Sequence, residues 1–155
     1  MSGYGKDSRL AAYQGVSVRG TLAGADPHGL IQMLMDGALE RLSIARGCME
    51  RGCKQRGDIS RKTAALHQCI NIVAELRGSL DVANGGILSQ NLNDLYDYIL
   101  RQLLRANCDN DVKCVIEASS LLGEIRSAWV AIAPEVRSAN RVPLKAPANT
   151  AADRV

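Results

Sequence analysis

The residue types that could do chemistry are few in this chain, and their spacing does not assemble a reactive site. The histidines are His28 and His67. His28 follows an Asp26-Pro27 helix start, where capping or packing is the expected role. His67 falls inside a helical stretch without the Glu-x-x-His pattern by which helical bundles hold metals. Glu40, Glu50, Glu75, Glu117 and Glu124 form no evident inward-facing pair, and they read as solvated or matched with nearby arginines. The five cysteines, Cys48, Cys53, Cys69, Cys108 and Cys114, contain no Cys-x-x-Cys. Their gaps miss those usual for zinc. They are expected to be buried structural thiols in a reducing cytosol. Gly85-Gly86 precedes a helix, but neither GxxxxGK[ST] nor GxGxxG is present, so a helix boundary explains the pair. No catalytic residue, metal ligand or cofactor is expected, and the chain does not read as an enzyme.

The composition points to a scaffold of aliphatic helices. The chain has 155 residues, enough for one domain with a core of its own. It has no Phe, four Tyr and one Trp, and a core without large rings favours helix packing over a β-sandwich. A net charge of +3, scattered and without interleaved aromatics, argues against nucleic acid. No apolar run is long enough for membrane insertion, and the first residues lack the apolar stretch of a signal peptide. A cytoplasmic location is expected.

The elements that must position any site are helices. Residues 1–25 read as a flexible N-terminal arm with a short helix near Leu10–Gln14. Asp26-Pro27 then opens a helix running to about Gly52, with an apolar stripe through Ile31, Met35, Ala38, Leu42 and Ala45. A second helix is predicted from Asp58 or Ser60 to about Asn84, stopped by Asn84-Gly85-Gly86. The third, from Gly85 to Asn107, has an apolar face wider than one docking stripe requires: Leu88, Leu92, Leu95, Ile99 and Leu103, flanked by Tyr96, Leu100, Leu104 and Tyr98. The fourth, from Asp111 to Ala133, places Val115, Ala118, Leu122, Ile125, Trp129 and Ile132 on a coiled-coil-like seam. Pro134 ends it, and residues 135–155 read as a disordered tail. Short links between long helices predict an all-α, antiparallel up-down four-helix bundle over residues 26–134.

Several segments together resemble the FliS family of flagellar export chaperones. They are Tyr13-Gln14 in the arm, the run Asp26-Pro27-His28-Gly29-Leu30-Ile31-Gln32-Met33-Leu34-Met35-Asp36-Gly37-Ala38-Leu39, and Ile70-Asn71-Ile72-Val73 through Leu76 to Leu80-Asp81. Gly85-Gly86, Asn91-Leu92, Leu95-Tyr96-Asp97-Tyr98, Arg101 and Ala106-Asn107 complete the set. Asp26 stands where the family usually has Ser, which preserves a cap. Gly29 replaces a larger residue, at about 1 kcal/mol of helix propensity. The tail beyond Pro134 has no secure match.

The resemblance implies a cytosolic chaperone that binds the C-terminal segment of flagellin. It would keep that segment from polymerising early and help deliver the subunit to the flagellar type III export apparatus. On this reading a groove draws on Ile31, Leu34 and Met35 of the first helix and on Leu88, Leu92, Leu95, Tyr98, Ile99 and Leu103 of the third. Leu10 and Tyr13 of the arm would cover it in the free protein. Asn71, Asn91 and Arg101 would satisfy polar groups of the client. A homodimer is left open. The alternative is a homo-oligomeric structural or regulatory bundle that binds another amphipathic helix.

Overall fold

The computed structural model describes residues 26–134. The arm at 1–25, with Leu10 and Tyr13, and the tail at 135–155 lie outside the described residues. Within them the regular elements are four helices: α1 (Pro27–Glu50), α2 (Asp58–Gly78), α3 (Gly86–Asp109) and α4 (Val112–Ala131). Each packs against two others, in the cyclic order α1–α2–α3–α4. The expected antiparallel up-down bundle is the observed fold, and α1 and α3 are diagonal within it.

Local chemistry sets the helix ends. The Asp26 carboxylate accepts a hydrogen bond from Gly29 N at 2.7 Å, and Pro27, which lacks an N–H, occupies the first turn. A Cβ on Gly29 would lie 3.1 Å from that carboxylate oxygen, so the small residue leaves the cap its space. Asp111 caps α4 in the same way, accepting from Lys113 N at 3.0 Å. Asn110, in the left-handed conformation at φ 52°, closes α3 and leaves only a short step into α4.

One predicted boundary moves, and one predicted cap is replaced. α2 stops at Gly78 rather than near Asn84, because Ser79 turns its hydroxyl back to donate to the Leu76 carbonyl at 2.7 Å. The residues after it form turns instead of a further helical repeat. Asp58 begins α2 but is not its cap, a position taken by Gly57. Its carboxylate is fully buried instead and accepts from Arg51 at 2.8 Å, Arg61 at 2.9 Å and Gln55 N at 3.0 Å. These donors, Arg51 foremost, hold the Asp58 carboxyl well below the usual carboxylate range despite its burial.

The core is aliphatic, as the absence of Phe requires. Leu42 and Ala45 of α1, Leu66, Ile72 and Val73 of α2, Ile99 and Leu103 of α3, and Val115 and Leu122 of α4 are all fully buried. Polar ties join neighbours at its edge. Arg126 of α4 pairs with Asp36 of α1, Arg77 of α2 reaches Asn93 and Asp97 of α3, and Lys62 of α2 donates to Asn110 at 3.1 Å.

Candidate functional site: an apolar groove between α3 and α4

The apolar stripes of α3 and α4 extend beyond the core that the four helices share. On α3, Tyr96, Ile99, Leu103 and Ala106 are buried, whereas Leu92 is half-buried and Leu88 is 67% exposed. On α4, Val115, Ala118, Leu122 and Ile125 are buried, but Trp129 is half-buried and Ile132 exposed. The helices run antiparallel, so the first turns of α3 lie beside the last turns of α4. The uncovered ends of both stripes therefore meet. They enclose a groove of about 370 Å³, with Leu88, Leu92 and Leu95 on one wall and Leu121, Glu124, Ile125, Ala128, Trp129 and Ile132 on the other.

A polar cluster and an aromatic contact bound this groove. One turn beyond Leu95, the Tyr98 hydroxyl donates to Glu117 of α4. Gln102 Nε2 donates to both, at 3.2 Å to the hydroxyl and 2.6 Å to the carboxylate. The Glu117 carboxylate as acceptor raises the Tyr98 hydroxyl above its ordinary value. The Arg101 guanidinium lies 5.8 Å from the Tyr98 ring centre while bridging to Asp97 at 3.2 Å.

Toward the opposite end of the groove, the Trp129 ring stacks on His28 of α1, with centroids 4.3 Å apart and planes 6° from parallel. The indole N–H donates to the His28 carbonyl at 2.9 Å. His28 is buried, and neither ring nitrogen has a hydrogen-bond partner among the described residues. Its role is packing, and Asp26 does the capping.

The described lining of the groove is almost wholly apolar. Its only charged lining side chain is Glu124, which has no ion pair among the described residues. No group of three His, Cys, Asp or Glu side chains that could hold a metal occurs among the described residues. Cys48, Cys69 and Cys114 are buried free thiols, as expected, and burial pushes Cys69 up to about 12, which makes it inert. Cys53 and Cys108 depart from that expectation: Cys53 is half-buried in the turn after α1, and Cys108 is exposed in the last turn of α3. No helix among the described residues is long and apolar enough to cross a membrane.

An apolar cleft on a helical bundle is surface that another chain can cover, and comparison with known proteins decides the family. Residues 9–136 match the profile of the family described as Flagellar protein FliS. The chain belongs to the FliS family. It is 43% identical over 120 residues to the flagellar secretion chaperone FliSB of Pseudomonas aeruginosa, covering 77% of this chain and 91% of the relative. It is 42% identical over 129 residues to flagellar secretion chaperone FliS of Salmonella typhimurium, covering 83% and 92%. Identity to FliS of Bacillus subtilis is 34% over 119 residues, covering 76% and 80%. FliS proteins are flagellar export chaperones, not enzymes, and this chain is one of them.

Within this FliS bundle the residues singled out from sequence fall into distinct places. Leu88, Leu92 and Leu95 line the groove, and Tyr98 stands at its cross-linked end. Asn91 and Arg101 are exposed on α3, Asn71 is half-buried on α2, and Ile31 and Leu34 pack half-buried against the core from α1. Met35, Ile99 and Leu103 are buried in the bundle core, with 1%, 0% and 0% exposure. The α1 and α3 residues expected to share a groove do not meet at the surface, because the two helices stand diagonally. Diagonal helices share a core but no surface seam, so α4 supplies the second wall. Of the α4 residues of that wall, Ile125, Trp129 and Ile132 were visible in the sequence as the last positions of the coiled-coil-like seam and Glu124 as a solvated or paired carboxylate, whereas Leu121 and Ala128 carried no signal.

Proposed function

We propose that the α3–α4 groove binds the amphipathic C-terminal segment of flagellin, keeps it from polymerising before export, and holds the subunit for the flagellar type III export apparatus. The observation that carries this reading is the uncovered meeting of two apolar stripes in a chain whose relatives are named flagellar secretion chaperones. A segment that folds on binding bears an ordering cost of about 2–5 kcal/mol or more. Burial of apolar surface at about 25 cal/mol per Å² is the term able to offset it. Leu88, Leu92 and Leu95 would take the apolar stripe of a docked helix. Asn91 and Arg101, exposed beside that wall, would meet its polar groups. Ile31, Leu34 and Asn71, on other helices, would contact client only where the segment continues round the bundle.

Leu10 and Tyr13 of the arm would compete with the client for the groove in the free protein. The test is the affinity for a peptide of flagellin's C-terminal segment, measured with and without residues 1–20. Deletion is expected to tighten binding or leave it unchanged, and a large loss would contradict a competing cover. Mass in solution with and without the peptide addresses the rival reading. A one-to-one complex supports the chaperone, whereas a stable oligomer indifferent to peptide favours a structural bundle.

A further inference from the structure

We propose that His28 is a positioning residue for the groove: its ring face and its carbonyl together hold Trp129 in one orientation and preform the wall that α4 contributes. This rests on the reading of the groove as the client site. Trp129 occupies the last turn of α4, where a half-buried side chain beside an open cleft would otherwise sample several rotamers. The stack at 4.3 Å and 6° fixes the plane of the indole. The 2.9 Å hydrogen bond from its N–H to the His28 carbonyl fixes which edge faces α1. Plane and edge are thus both held by His28.

The imidazole supplies this restraint without using its own polarity. It is buried, both nitrogens lack partners among the described residues, and the parallel stack presents its flat face to Trp129. The backbone acceptor is equally fixed. His28 follows Pro27 in the first turn of α1, and that turn is anchored by the 2.7 Å bond from Gly29 N to the Asp26 carboxylate. The start of α1 thus transmits its position to the far wall of a groove that α1 does not line. A wall already ordered in the free protein spares the client the cost of ordering it.

Trp129 is the only tryptophan in the chain, so its emission and the indole bands of the near-ultraviolet circular dichroism, which lie to longer wavelength than those of the four tyrosines, report on this wall. The probe is a peptide of flagellin's C-terminal segment titrated into the full chain. Wild type should change its Trp129 emission on binding, and W129A should bind about tenfold more weakly or worse. H28A should lose about three- to tenfold in affinity, with weakened near-ultraviolet Trp bands and unchanged far-ultraviolet helicity. H28F keeps a flat face and the carbonyl while removing the unpartnered nitrogens. It should bind within about twofold of wild type and keep the Trp bands.

The proposal is overturned if H28A binds like wild type with unaltered Trp bands, or if H28F is as weak as H28A. If H28A does not fold, H28F decides alone by the same criterion. Failure of the groove reading looks different: the peptide leaves Trp129 emission unchanged and W129A binds like wild type. If W129A weakens binding and H28A does not, only the role of His28 fails.

Discussion

At the scale of single residues, leucines and isoleucines on one face of α3 do opposite jobs. Ile99 has no exposed surface, whereas Leu88 is mostly exposed at the groove mouth. Ile99→Ala should therefore destabilise the fold by about 2–5 kcal/mol, read as a lowered urea midpoint. Leu88→Asp should change stability by no more than about 0.5 kcal/mol. Equal effects would mean that α3 is not divided between core and groove. Asp58 makes a separate prediction. Its carboxyl titrates well below the usual carboxylate range in the folded protein because Arg51, Arg61 and the Gln55 N–H bind the charged form. A depressed folded value contributes stability that is complete above the unfolded value near ~4 and drains away as pH falls below it. Urea midpoints of wild type should fall as pH is lowered through that range. Asp58→Asn should be less stable at pH 7 and show a shallower acid fall. An identical acid slope in the two proteins would remove Asp58 from the account.

At the scale of elements, the link before α3 sets where the groove wall begins. A Cβ on Gly85 would lie 2.6 Å from the Asp81 carbonyl and closer still to the Ser89 side chain. The backbone contact cannot be relieved by a rotamer change. Gly85→Ala is therefore expected to cost about 1–3 kcal/mol and to weaken peptide binding by shifting Leu88. Unchanged thermal unfolding and binding would show that the link tolerates the displacement. Much of this level was legible beforehand. Asp26-Pro27, Asn107 to Asp111 and the glycine pair carry their own turn chemistry, so the helix starts and the bundle topology followed. The end of α2 did not, because Leu80 and Ala83 prolong the apolar period beyond the point where Ser79 closes the last turn. Nor did the groove. Leu92 and Ile99 obey one spacing, as do Leu122 and Trp129, and periodicity records a shared face without recording where the neighbouring helices cease to cover it. Which helix forms the second wall depends on the cyclic packing order, a property of the assembled bundle that no single stripe contains.

At the scale of the whole molecule, the bundle divides along its length. One end is closed by the α1–α2 turn, with Asp58 buried under two arginines and Lys62 tied to Asn110. At the other end α3 and α4 leave their apolar seam open, and the Tyr98–Glu117–Gln102 cluster marks where it closes. The arm and the tail both join the bundle at this open end, since α1 begins and α4 finishes there. The central claim is that client affinity resides in the open seam and not in exposed apolar surface generally. Ile59, 64% exposed near the start of α2 at the closed end, supplies the control. The decisive measurement is the equilibrium affinity of a flagellin C-terminal peptide for wild type, Leu92→Asp and Ile59→Asp, each checked for intact helicity. Leu92→Asp should lose about tenfold or more, as expected for a central apolar contact, while Ile59→Asp binds like wild type. Equal affinities for all three proteins, or a loss confined to Ile59→Asp, would contradict the account.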